Sequence, residues 1–289
     1  MTDQLPLQDV PRRLFRATPT RLLGWLDCPR RYRFTYLEKP TPPKGPPWAH
    51  TSVGASVHTA LASWWRLPVE RRTTAEVGDL LVRGWLRDGF ADDAQSETWR
   101  EYARDLVQSY VATLDPTDEP IGVERTVAMR TPALALSGRI DRLDERPAQQ
   151  GTELVVVDYK TGRRTLTTAD ARTSLALAVY AAAAWRTMRK PCRRVELHHL
   201  PTGTVVAADH TEETLRRHLD RAEQIGIEVA DAEEAYRRGD DPEALFPPNP
   251  GTQCHWCDFS PSCAEGRRAF PPRRPWEGLD SAVGAGVRA

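Results

Sequence analysis

Two carboxylates and one ammonium lie on short apolar stretches near the middle of the 289-residue chain. Asp141 ends Gly138-Arg139-Ile140-Asp141. Asp158 and Lys160 follow Val155-Val156-Val157 and precede Thr161-Gly162. Residues two apart on a strand face the same way, so Asp158 and Lys160 are expected to project together. Two acids and an amine that converge suit phosphodiester hydrolysis. Hard oxygen ligands hold Mg2+ or Mn2+, and such an ion polarises a phosphate and lowers the pKa of a water. A compact ammonium orients that water or offsets charge on the phosphorus centre, which a planar guanidinium does poorly. A lone Asp-x-Lys reads better as a turn acid beside a solvated lysine. Here an apolar strand leads into it, and a Gly-x-x-Asp strand lies a hairpin's length upstream, which favours the catalytic reading. Lysine is otherwise confined to Lys39, Lys44 and Lys190 in an arginine-rich chain.

Cysteines form a second constellation. Cys28 stands near the start, and Cys254, Cys257 and Cys263 read C-x-x-C-x-x-x-x-x-C near the end. The N-terminus is polar with no visible signal peptide, and the apolar run Leu175 to Trp185 is too short to span a membrane. The chain is therefore expected in the cytoplasm, where disulfides are rare and thiolate ligation of a metal is the sharper reading. A C-x-x-C turn aims two thiolates at one centre, a third returns from a short loop, and Cys28 is the natural fourth. The centre is either structural zinc or an iron–sulfur cluster. His255 is a weaker substitute ligand, Trp256 and Phe259 are candidate shields, and Cys192 reads as an ordinary thiol.

These residues need a scaffold. Forty basic and forty acidic residues cancel, so net charge does not argue for a nucleic-acid partner and any basic surface must be local. Helical patterning covers Thr20 to about Leu37, Gly54–Trp65, Thr74–Phe90 and Glu97–Leu114, with a proline-rich loop after the first. Strand character follows at Gly122–Met129, Ala133–Leu143 and Glu153–Tyr159. A helix over Thr168–Met188, strands at Arg194–Leu200 and Thr204–Ala208, and a helix over Thr211–Arg238 complete the order. It predicts a mixed sheet flanked by helices. Residues 1–15 and 267–289 are expected to be disordered tails.

The Gly138-x-x-Asp141 strand, the Asp158-Tyr159-Lys160-Thr161-Gly162 run and the helix after it resemble the RecB-like nuclease family within the PD-(D/E)xK superfamily. The resemblance implies an α/β, restriction-endonuclease-like fold, with metal on Asp141, Asp158 and the Tyr159 carbonyl, and Lys160 assisting the nucleophile. His58, in Gly54-x-x-x-His58, resembles the family's upstream metal-ligating histidine. Tyr180 matches the tyrosine of its Gln-x-x-x-Tyr helix, although Ala176 stands where the family has Gln. Glu124 could face the same site. The one-plus-three cysteines and Cys28-Pro29-Arg30-Arg31-Tyr32 resemble AddB-type iron–sulfur nucleases, implying a structural 4Fe-4S staple on Cys28, Cys254, Cys257 and Cys263.

The expectation is thus one nuclease domain over residues 16–266. Its helical part covers about 51–118, its catalytic sheet core about 119–210 and its cluster segment 250–266. The expected substrate is DNA, as ends or single strands, in recombination, repair or foreign-DNA processing, with any helicase on another chain. The competing readings are a non-catalytic iron–sulfur DNA-binding module that partners a helicase, supported by Ala176, and a zinc-stabilised interaction protein.

Overall fold

A computed structural model describes residues 14–149 and 151–279. The chain opens with β1 (Phe15–Ala17), α1 (Pro19–Asp27) and α2 (Pro29–Tyr36). Three helices follow, α3 (Ala49–Trp65), α4 (Thr74–Arg83) and α5 (Asp93–Val111). The sheet is then built by β2 (Gly122–Arg130), β3 (Leu134–Pro147) and β4 (Thr152–Lys160). After α6 (Thr168–Thr173) and α7 (Leu175–Met188) come β5 (Cys192–His199), β6 (Thr204–Asp209) and α8 (Glu212–Arg238). The cysteine segment carries the short helices α9 (Pro242–Leu245) and α10 (Ala264–Ala269).

The six-stranded sheet runs β1-β3-β4-β5-β6, with β2 on the other edge of β3. Strand β3 pairs antiparallel with both β2 and β4, while β4 pairs parallel with β5 across the helical crossover. This is the expected mixed α/β sheet. Strand β4 explains why it has two layers of helix. Leu154 and Val156 enter a core with α1, α7 and α8, whereas Val155, Val157 and Tyr159 enter a second core with α3, α4 and α5. A strand buried on both faces reads as a continuous apolar run, which is what Leu154–Val157 is. Helix α7 lies close to the sheet because its inward face is Ala178, Ala181, Ala182 and Ala184, all buried.

Two long helical patterns are broken where the sequence allows it. The pattern from Thr20 divides at Cys28, which is extended (φ −167°) because the residue before proline is driven out of the helical region. Pro29 then starts α2 at the position where its missing N–H costs nothing. Ser174 divides the second pattern by capping α7 through the Leu177 N–H. Helix α4 ends at Arg83, short of the expected Phe90.

Both expected tails require correction where the structure describes them. Phe15 belongs to β1, paired to Leu134; residues 1–13 lie outside the described residues. Residues 267–279 form the end of α10 and a strap across the α3–α5 helices. The Ala49 N–H donates to the Pro275 carbonyl (3.2 Å), and Leu279 is buried in the second core. Apolar anchors at Trp276 and Leu279 outweigh the Arg/Pro/Gly composition that suggested disorder. Residues 280–289 lie outside the described residues.

Candidate functional site

Strands β3 and β4 are paired only as far as Arg142 and Val157. Beyond that pair they part, and Asp141 and Asp158 stand at the fork. A side chain takes over where the ladder stops: the Tyr159 N–H donates to Asp141 Oδ2 at 2.9 Å. Beyond the fork β4 stays paired with β5 as far as Lys160 and His199. Strand alternation puts Asp158 and Lys160 on the α7 side, and Lys160 Nζ lies 2.5 Å from Asp158 Oδ2. His58 reaches the fork from α3, with Nδ1 3.3 Å from Asp141 Oδ2.

The electrostatics are those of two neighbouring carboxylates flanked by Lys160 and His58. Burial raises the proton affinity of Asp158; Lys160 pulls it down and the Asp141 charge pushes it up, leaving the net shift upward. Burial would lower the pKa of His58, but its hydrogen bond to Asp141 and the charges of Asp141 and Asp158 raise it overall. Each group therefore leans toward holding a proton, Asp158 chiefly because it is buried and His58 because of the carboxylates beside it.

Glu124 is the residue to which sequence reasoning gave too little weight. On β2 it lies between Val123, paired with Arg142, and Arg125, paired with Ile140, and so stands opposite Asp141. It adopts a left-handed φ of +51° and accepts from Arg139 Nε at 2.7 Å. Ligand atoms of His58, Glu124 and Asp141 lie within 4.8 Å of one another, a donor set able to hold a metal ion. One imidazole and two carboxylates suit a divalent cation with mixed oxygen and nitrogen preference. The signal was present in the sequence: a turn at Pro132 sets the hairpin register that brings residues 124 and 141 together.

Tyr180 arrives from α7. A Cβ on Gly138 would sit 2.2 Å from Tyr180 Cε1, so only glycine lets the ring lie across β3. Burial, and then the charges of Asp158 and Asp141, raise the Tyr180 pKa. Ala176, one turn earlier, is half-buried like Tyr180. Tyr159 points to the other face of the sheet, where it is buried and accepts from Trp65 Nε1 at 3.2 Å. Behind it lies a polar network that the sequence did not reveal. Tyr110 donates to His198 Nδ1 (2.8 Å), and His198 Nε2 donates to Glu196 (3.0 Å). Arg142 is buried 5.0 Å from the Trp65 ring centroid and paired with Asp144.

The four expected cysteines line one cavity: Cys28 from the α1–α2 break, and Cys254, Cys257 and Cys263 from the last segment. Glycine is needed here too, because a Cβ on Gly266 would lie 3.3 Å from Cys263 Sγ and 3.4 Å from Cys254 Sγ. The N–H of Gly266 donates to Cys263 Sγ (3.4 Å) and the N–H of Asn249 to Cys28 Sγ (3.5 Å). Four convergent thiols with N–H groups on sulfur fit a thiolate-ligated centre. Arg30, buried, ties α2 to Glu243 and Glu265 of the cysteine segment. His255 Nδ1 instead donates to the Pro271 carbonyl (2.7 Å) and does not line the cavity. Phe259 lines it, whereas Trp256 packs on Trp48 and His50. Cys192 is buried on β5, its thiol pushed up to about 12 by burial. Among the described residues no helix is long and apolar enough to cross a membrane.

No curated protein matches the chain. Among solved structures, a crystal structure of an exonuclease candidate from Eubacterium rectale is similar at 11% identity and a TM-score of 0.43, covering 94% of each chain. That likeness is too low to bear on activity. The model of the PD-(D/E)XK nuclease superfamily matches residues 16–264, from β1 through the last cysteine, and the chain belongs to that superfamily.

Proposed function

We propose that this protein is a divalent-metal-dependent deoxyribonuclease acting on single strands or ends, with a 4Fe-4S cluster on Cys28, Cys254, Cys257 and Cys263. One observation carries the hydrolytic reading: His58, Asp141, Asp158 and Lys160 meet at the fork of β3 and β4. His58, Asp141, Asp158 and the Tyr159 carbonyl would hold Mg2+ or Mn2+, with Glu124 in reach. The ion would supply Lewis acidity to a phosphate oxygen and to a water. Lys160, beside Asp158, is suited to orient the attacking water and to offset charge on the phosphate. The Tyr159 N–H holds Asp141 in place. Tyr180 walls the pocket on the α7 side and would set how the sugar-phosphate chain lies.

The test is cleavage of end-labelled single- and double-stranded DNA by anaerobically prepared protein, with and without Mg2+ or Mn2+. Lys160→Ala is expected to lose about 100-fold or more in rate. Parental cleavage by that variant would remove the mechanism. The cluster is supported by the one-plus-three cysteine cavity, the Gly266 cradle and the buried Arg30 beside it. Iron and sulfide analysis with visible absorbance tests it, and stoichiometric zinc without iron would sink it.

Ala176 favours a second reading. It shares the half-buried face of α7 with Tyr180, so no amide reaches the pocket from that turn. On this reading the protein is a non-catalytic DNA-binding module that partners a helicase on another chain. Binding of DNA without cleavage, under any divalent ion, would select it.

A further inference from the structure

A cluster of aromatic and cationic groups lies outside the carboxylate pocket and is left unused by the chemistry above. Three separate stretches build it. His50 comes from the first turn of α3, Trp256 from the cysteine segment, and Arg273 from the strap that follows α10. The His50 and Trp256 rings meet edge-on with centroids 5.3 Å apart, and Trp48 packs on both. The Arg273 guanidinium lies over Trp256, 5.2 Å from its centroid. The strap is fixed here by the Ala49–Pro275 hydrogen bond and by Gly278, whose Cβ position is 3.1 Å from Trp256.

The cluster is not a closed packing core. His50 and Arg273 are exposed and Trp256 is half-buried. Asp258 accepts from Trp48 Nε1 at 2.9 Å, and Glu277 pairs with Arg273 only at 3.8 Å between two solvent-accessible side chains, a weak surface contact that a phosphate can displace. Its position also ties it to the pocket. His50, Gly54 and His58 fall four residues apart on α3 and share a face. From His50 to His58 is about 12 Å along the axis at 1.5 Å per residue. Between them a Cβ on Gly54 would come 3.3 Å from Thr161 Oγ1, next to Lys160. One helix face thus leads from the carboxylates to the aromatic cluster.

We propose that His50, Trp256 and Arg273 form a stacking platform for single-stranded DNA on the path that leaves the carboxylate pocket along α3. The exposed guanidinium laid over the indole, with the exposed His50 ring next to it, offers a base a planar surface to stack on and a phosphate a cation, a pairing that serves unpaired strands. A duplex keeps its bases stacked on each other and gains only the phosphate contact. The proposal rests on the nuclease reading for its direction along α3, but binding can be measured apart from cleavage.

The test uses the full chain with its cysteine-bound centre intact, in chelator without divalent ion. Binding is read by fluorescence anisotropy of a labelled oligothymidylate of about twenty nucleotides and of a duplex of equal length. Parent protein is compared with His50→Ala, Arg273→Glu and the double variant; both positions are exposed, and equal melting temperatures and metal content serve as folding controls. His50→Ala is expected to bind the single strand about tenfold more weakly with duplex affinity changed less than about twofold, whereas Arg273→Glu is expected to weaken both probes and the single strand by about tenfold more than the duplex. Single-strand affinity within about twofold of the parent in the double variant would overturn the platform. So would equal losses on both probes, or a parent that binds no single strand. A parent that binds the strand through these residues yet never cleaves it would overturn the nuclease reading and leave the platform standing.

Discussion

Glu124 and Asp141 face each other across β2 and β3 at the point where the pleat of both strands inverts. Val123 and Arg125, two apart, should share a face. Yet Val123 packs against the α3–α5 core, and Arg125 reaches Met188 of α7. On β3, Ile140 lies in the α7 core while Arg142 turns to Trp65 on the opposite side. The left-handed Glu124 backbone makes this turn. A non-glycine residue held there costs about 1 kcal/mol, so the carboxylate is kept at an energetic loss. Glu124→Gly is therefore expected to be about 1 kcal/mol more stable than Glu124→Ala by urea unfolding, while both lose nuclease activity alike. Equal stability would remove the strain argument, and retained activity in both would remove the carboxylate from the site.

Gly138 and Tyr180 make a second pair of this kind. A methyl group on residue 138 would collide with the ring at 2.2 Å and 2.9 Å. Overpacking of this sort costs about 1–3 kcal/mol. Gly138→Ala should be destabilised by that amount and should move the ring off the pocket. In a Tyr180→Ala background the same change should cost at least about 1 kcal/mol less, because the colliding ring is gone. A double-mutant cycle that closes additively would show that the ring does not depend on Gly138.

Much of this was legible in the sequence, and the exceptions share a cause. The mixed sheet and its helical layers follow from strand and helix periodicity, and the candidate ligands and cysteines are picked out by motifs carried on local runs, but the strand β1 and the order of strands in the sheet were not read. Periodicity reads one helix through the break at Cys28, although Pro29 is its local signal. Glu124 was given too little weight because alternation assumes a regular strand, and its φ of +51° breaks that rule. Arg142 and Glu196 look like solvent-facing charges on half-buried strands, yet both are buried, on the side of the sheet where Trp65 of α3 and Tyr110 of α5 lie. Arg30 reads as part of a basic cluster until Glu243 and Glu265, more than 200 residues away, close on it. Long-range partners of charged side chains leave no local pattern to read. The strap over residues 271–279 escaped for a different reason: its composition is that of a tail, and two apolar anchors decide its placement.

The buried Glu196 makes stability depend on acid. Burial alone would raise its pKa. Hydrogen bonds from His198, Arg146 and Arg194 outweigh burial and hold Glu196 well below the usual carboxylate range. A folded-state pKa below the unfolded value of about 4.3 means that the unfolded chain binds the proton more readily. The stabilisation is then fully present above about pH 4.3 and is lost as pH falls toward the folded-state value. His198, kept neutral by burial in the same network, must also accept a proton in acid, which adds to the loss. Glu196→Gln leaves Arg146 and Arg194 without their shared carboxylate and should cost roughly 3 kcal/mol at neutral pH. The difference between parent and variant should shrink progressively as pH falls below about 4.3, because the unfolded parent takes up a proton there while the folded parent keeps its charge. Urea unfolding of both proteins at neutral pH and in acid measures it, and a gap of constant size at every pH would mean that the Glu196 charge does not stabilise the fold.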